Sequence, residues 1–193
     1  MKLLTADEIQ NLHEYELSRA EFRRQVIDLN SRRRIALGPL MTLVFENRET
    51  VRFQVQEMLR IERIVAPEKV QDEIDVYNEL LPREGEVAAT LFIEVTEAVK
   101  VQPVLDSFVG LDEPGRLTLT AGNGSFPARF APGQSREDRI SAVHYIRFAL
   151  GESGRAALAA GAPAALSVRH GSYSADTPLS PETVRELLRD LAD

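Results

Sequence analysis

Acid, guanidinium and amide side chains crowd one stretch of the chain, VFENRETVRFQVQEMLRIER, from Val44 to Arg63. Glu46, Arg48, Gln54, Gln56, Glu57 and Arg60 fall within it, and Tyr77 and Glu79 follow in EIDVYNELLP. Gathered around one pocket, they would let Arg60 hold an anionic group, Glu57 take a proton and Tyr77 donate from its hydroxyl. A metal variant of the same pocket uses Glu57, Glu62, Asp75 and Glu79 as oxygen ligands. The competing explanation is a solvated polar exterior, in which the same charges form surface ion pairs of little energetic weight.

Other chemistries have weaker support. His13, His144 and His170 are far apart, and the sequence contains neither Glu-x-x-His nor His-Glu-x-x-His. Ser153 in GESGR lacks the strand ending of a nucleophile elbow and suits the start of a helix. Gly122 and Gly124 do not extend to a dinucleotide fingerprint. With no cysteine in 193 residues, disulfides, iron–sulfur ligation, thiolate zinc sites and thiol nucleophiles are all excluded. No cofactor is expected.

The elements that must position these residues follow from periodicity and end signals. Thr5 with Glu8 is a capping box opening a short helix, and Ser18 with Glu21 repeats it before Phe22, Val26 and Leu29, predicting a second helix over 19–33. Met41, Leu43 and Phe45 alternate, as do Val51, Phe53 and Val55, which predicts a β-hairpin turning at Asn47 to Thr50. Pro67 starts a helix carrying Val70, Ile74, Tyr77 and Leu81. Beyond Pro82 come VAATLFIEV, RLTLT, FPARF, AVHYIRFAL and AALSVRH as strands. A tight turn at Gly122–Asn123–Gly124, short helices at KVQPVLDSFVG and GESGRAALAAG, and a last helix from Ser180 and Pro181 complete the chain. The fold class is α+β: N-terminal helices with a β-hairpin, then a mostly antiparallel sheet or partial barrel with short helices. The parts are 1–82 and 83–193, either as two units or as one continuous domain.

Composition is that of a globular chain, 44% hydrophobic and 27% charged, with a formal charge of −7 that disfavours nucleic acid. No run of about 18 apolar residues appears, so no membrane association is expected, and the opening MKLLTADEIQ turns polar too early for a signal core. A soluble cytoplasmic protein is the expectation. Six arginines face two acids between Arg19 and Arg34, and one lysine faces five acids between Glu68 and Glu79. The simplest arrangement neutralises one segment with the other across a helix pair, within one chain or between the subunits of an oligomer.

EFRRQVI, the triplet Arg32–Arg33–Arg34, GPLMTLVFENRETVRFQVQEMLRIER, EIDVYNELLP, ATLFIE and DRISAVHYIRF, in that order, resemble the bacterial family called domain of unknown function 3501. The resemblance covers nearly the whole chain. It implies no assigned activity, and a genetic neighbourhood of rubrerythrin-like proteins and cysteine-rich iron–sulfur oxidoreductases. The family's signature concentrates on Glu46, Asn47 and Arg48, on Gln54, Gln56, Glu57 and Arg60, on Tyr77, Asn78 and Glu79, and on Asp138, Arg139 and Ser141. His144 stands where the family more often has glutamine. Two functional expectations follow. One is a non-catalytic accessory protein that binds a redox partner through a charged surface. The other is an enzyme or small-anion or metal binder whose pocket is lined by Gln54, Gln56, Glu57, Arg60, Tyr77 and Glu79.

Overall fold

A computed structural model of the chain describes residues 1–136 and 139–192. The chain starts as expected: Thr5 and Glu8 close a capping box over a single 3-10 turn, Ala6–Glu8. Helix α1, Leu12–Ser31, then begins at Asn11, whose side chain accepts from the Glu14 amide. Ser18 therefore lies inside the helix rather than at its start, with its hydroxyl donating to Gln10 Oε1 at 2.8 Å. Strands β1, Arg34–Ala36, and β2, Met41–Glu46, form an antiparallel hairpin. Its turn is held by Tyr173, whose hydroxyl donates to the Leu37 carbonyl at 2.6 Å and accepts from the Leu40 amide at 3.1 Å.

The expected hairpin between 41–45 and 51–55 is not formed. Residues Arg48–Glu62 are helix α2, because Asn47 accepts from the amides of Glu49 and Thr50 while Thr50 Oγ1 accepts from the Asn47 amide. Val51, Val55 and Leu59, four apart, are buried as a helical stripe, and Phe53 leaves that stripe to pack edge-on against Phe22 of α1 at 5.5 Å. Helix α3, Pro67–Asn78, follows with proline in its first turn.

The remaining elements are β3 (Glu86–Ile93), α4 (Val101–Asp106), β4 (Leu117–Ala121), β5 (Gly124–Pro127), β6 (Arg129–Phe130), β7 (Ser135–Arg136), β8 (Arg139–Ile140), β9 (Val143–Ala149), α5 (Gly151–Ala159), β10 (Ala164–His170), β11 (Tyr173–Pro178) and α6 (Pro181–Asp190). Strand β11, YSADTP, which packs Tyr173 and Ala175 on the core, has no counterpart in the sequence pattern. The β4–β5 turn uses Gly122 with φ +56°, a left-handed angle that favours glycine. One antiparallel sheet has the order β1-β2-β3-β9-β6 and another β11-β10-β4-β5; they do not close into a barrel. Because β2 pairs with β3, the first sheet runs across the sequence break at Pro82.

The main core lies between the two sheets. Leu43, Phe45, Leu91, Ile146 and Phe148 of the first meet Leu119, Leu166 and Val168 of the second, with Leu158 and Leu187 from α5 and α6. A second core, Leu4, Val51, Val55, Leu59, Ile74 and Leu81, belongs to the helical layer α1–α3. Alternation along β2 sends Met41, Leu43 and Phe45 into the main core and Thr42, Val44 and Glu46 to the opposite face, under the helices. All six residues of β2 are buried, as a strand covered on both faces must be.

Charge pairing follows a different route from the one expected. The acids of α3 pair locally, Asp72 with Lys69 at 2.9 Å and Asp75 with Gln71 at 2.7 Å. The arginine triplet instead reaches C-terminal acids. Arg33 is fully buried, with Nη1 and Nη2 donating to Asp190 at 2.7 and 2.8 Å and Nη2 to Glu186 at 3.1 Å. Arg34 pairs with Glu94 at 2.6 Å.

Candidate functional site

The face of the first sheet that looks toward the helices carries one mixed row. Register places Glu46 of β2 opposite Ala88 of β3, Ala88 opposite Arg147 of β9, and Arg147 opposite Arg129 of β6. Residues paired in this way project to one side of a sheet. Ala88 contributes only a methyl group between an acid and a guanidinium, so the row is hollow at its centre. Met58 of α2 and Val76, Tyr77 and Leu80 of α3 and its exit border this hollow, forming a half-open cavity of about 750 Å³. That volume is in the range of sites for small organic ligands. Phe130, Ala131, Pro132 and Ile146 add apolar wall.

Glu46 is buried at the inner end. Thr90 Oγ1 donates to its Oε1 at 2.6 Å, Gln54 Nε2 to its Oε2 at 3.0 Å, and Thr50 Oγ1 also lies on Oε2. Burial raises its pKa, and the three donors with the more distant charge of Arg33 oppose that rise only in part. Glu46 and Tyr145 also border a second, smaller cavity of about 320 Å³ beneath α1 and α2, so the two form the partition between the spaces.

Three guanidiniums occupy the outer end. Arg83 lies 3.7 Å from Glu79 and Arg129 lies 3.5 Å from Glu86. Arg147 differs: its Nη2 donates to the main-chain carbonyls of Glu79 and of Leu81, the latter at 3.2 Å. Burial, and then the nearby charge of Arg83, disfavour its charged form. Glu86 Oε2 is buried with no hydrogen-bond partner among the described residues. Tyr77, half-buried in the cavity wall, has its pKa raised by burial first and then by Tyr145 and Glu73.

Of the residues expected at a site, Glu46, Tyr77 and Glu79 line this cavity and the others face elsewhere. Gln54 stands behind Glu46. Gln56 is buried against the N-terminal segment, accepting from the Gln10 amide at 2.7 Å and donating to the Gln10 carbonyl at 3.2 Å. Arg48 binds that segment too, through Glu8 and the Lys2 and Leu3 carbonyls at 3.0 and 3.2 Å. Glu57 accepts from Tyr15 at 2.6 Å, from Arg19 at 2.7 and 2.9 Å and from Arg60 at 3.3 Å. Chiefly through the Arg19 hydrogen bonds its pKa is held down to about 2, so it is not a base at neutral pH, and Arg60 is not aimed at a ligand but at Glu57 and Glu16. The pocket drawn from Gln54, Gln56, Glu57, Arg60, Tyr77 and Glu79 therefore does not exist as one space. Nor do Glu57, Glu62, Asp75 and Glu79 converge: among the described residues no group of three His, Asp or Glu side chains could hold a metal ion.

His144 is buried, its Nε2 2.8 Å from the Ser141 carbonyl. His170 lies beside Phe108, with ring centroids 6.0 Å apart. Asn78 exchanges two hydrogen bonds with the Leu4 main chain, at 2.9 and 3.0 Å. Asp138 lies outside the described residues.

A family model described as "protein of unknown function (DUF3501)" matches residues 3–191. The chain belongs to the DUF3501 family. A crystal structure titled as a novel protein of unknown function from Burkholderia pseudomallei K96243 superposes with a TM-score of 0.91 at 31% identity, over 98% of this chain and 100% of that one. A search of curated proteins finds no match. In this DUF3501 chain much of the polar signature ties the N-terminal segment to the helical layer, through Arg48, Gln56 and Asn78. Glu46 and Tyr77 are not used that way, and both face the cavity. Ala88, Tyr145 and Arg147, which complete its floor, were not marked by sequence. The signal for them was an arginine and a tyrosine alternating with apolar residues in HYIRF, a pattern any half-buried strand shows.

Proposed function

We propose that this DUF3501 protein binds a small organic molecule in the cavity between α2–α3 and the five-stranded sheet. The observation that carries this is the row Glu46–Ala88–Arg147, with a buried carboxyl group at one end, a partly buried guanidinium at the other and a methyl group between them. A chain optimised for packing alone would fill such a space or pair its charges across it. The groups that a charged docking surface for a redox partner would present, Glu57, Arg60 and Arg48, are engaged within the chain, which favours the cavity.

The test is a fragment screen by thermal shift followed by isothermal titration calorimetry, on the wild type and on Ala88→Leu side by side. The added side chain projects into the cavity floor. Fragments that bind the wild type and weaken at least about tenfold on the variant support the proposal. Binding that ignores the substitution, or no binding at all, overturns it.

A further inference from the structure

Resting on that binding role, we infer that the ligand is a small monocarboxylate with an apolar body, its carboxylate on Arg147 and its far end against Glu46 and Tyr145. Charge at the mouth points to the head group. Arg83, Arg129 and Arg147 stand against Glu79 and Glu86, leaving one positive charge in excess in a chain whose formal charge is −7. Glu79 and Glu86 are already opposite Arg83 and Arg129, so the excess falls on Arg147. Its contacts with the Glu79 and Leu81 carbonyls come from Nη2 alone, and they fix the plane of the guanidinium without neutralising it. With Nη2 held by the two carbonyls, Nη1 and Nε are left to donate singly to an anion, and a singly charged carboxylate matches the one excess charge.

A doubly charged phosphate fits less well. One excess charge would not neutralise it, and Glu79 and Glu86 would repel it. Strand spacing sets the length of the body. Glu46 and Arg147 sit two strands apart, roughly 10 Å. An aryl ring or short branched chain lying over Ala88, beneath Val76 and Leu80, spans that distance once both polar ends are counted. At the inner end Tyr145, Tyr77 and Glu46 favour a ligand that carries a hydroxyl or carbonyl there.

The experiment pairs each acid with its primary amide: benzoate, 4-hydroxybenzoate, phenylacetate and 3-methylbutanoate against the four amides, with phenyl phosphate as a further arm. Binding is measured by calorimetry at pH 7 to the wild type, Arg147→Gln, Arg147→Lys and, as a control remote from the cavity, Arg116→Gln. At least one acid is expected to bind the wild type about tenfold or more tighter than its amide. Arg147→Gln erases that preference and leaves amide binding intact, Arg147→Lys retains part of it, and Arg116→Gln leaves it unchanged. Equal binding of acid and amide, or tighter binding of phenyl phosphate, overturns the carboxylate assignment while leaving the cavity as a binding site. Failure of all the acids, amides and phosphate to bind the folded wild type overturns both.

Discussion

Glu46 and Arg147 stand on one face of the same sheet with Ala88 between them, and each turns to groups other than its opposite number. Glu46 is hydrogen-bonded by Thr50, Thr90 and Gln54, and Arg147 by two main-chain carbonyls. An acid and a base that share a row without pairing keep a polar gap open, and the helices above have their own core to pack into.

Replacing Glu46 with glutamine is expected to change how stability depends on pH. The folded pKa of Glu46 is raised above 4.5, so between that value and the folded pKa the native state binds more protons than the unfolded state. Stability from this group therefore falls as pH rises through that window. Glu46→Gln cannot ionise, so its stability relative to the wild type should grow with pH, by about 1.4 kcal/mol for each unit of separation. Urea unfolding at pH 4 and pH 8 measures this; a difference that shrinks with rising pH would contradict the burial argument.

Glu57 should behave in the opposite sense. Its folded pKa is near 2 against an ordinary 4.5, so its stabilisation is present above 4.5 and is lost as pH falls toward 2. Glu57→Gln is expected to lose about 1.5–3 kcal/mol at pH 7, the worth of hydrogen bonds to a charged group, and much less at pH 3. Because Glu57 belongs to the α1–α2 contact, calorimetric affinities for cavity ligands should not change.

Arg33 joins the end of α1 to α6. Arg33→Ala leaves Glu186 and Asp190 without their buried counter-charge and is expected to cost about 3–5 kcal/mol in urea unfolding. The triple variant Arg33→Met, Glu186→Leu, Asp190→Leu removes the charges together and should recover most of that loss. Failure to recover would mean that the network is needed for specific packing rather than merely tolerated.

Gly38 takes φ +73° in the β1–β2 turn, and a Cβ there would lie 2.5 Å from the Tyr173 hydroxyl. Gly38→Ala is expected to cost about 1–3 kcal/mol, through backbone strain and displacement of that tyrosine. Tyr173→Phe combined with it should cost less than the sum of the two single changes, since both act on one contact. Strict additivity in a double-mutant cycle would show that the contact does not form.

End signals and turns were legible because they are settled within a few residues. Thr5 with Glu8, Pro67, Ser180 before Pro181 and Gly122–Asn123–Gly124 each satisfy local amides or a local backbone angle. The hairpin expectation fails where two periods coincide. Val51, Phe53 and Val55 alternate, yet Val51, Val55 and Leu59 also recur every fourth residue, and only the Asn47 cap distinguishes strand from helix. That cap was in the sequence, in the order Asn-x-x-Thr, outside the usual glutamate or glutamine form of the box.

By itself, then, the sequence determined the fold class, the order of most elements and the concentration of polar residues from 46 to 79. Tertiary structure decided which of those residues share a space. On one helix, Gln54 turns to Glu46, Gln56 to Gln10, and Glu57 and Arg60 to each other and to Arg19 and Glu16 of α1. Glu46, Ala88, Arg129 and Arg147 meet because three strand pairings bring them into one row. Strand register is set by which faces can be buried against the two cores, a property of the whole chain that no local spacing encodes.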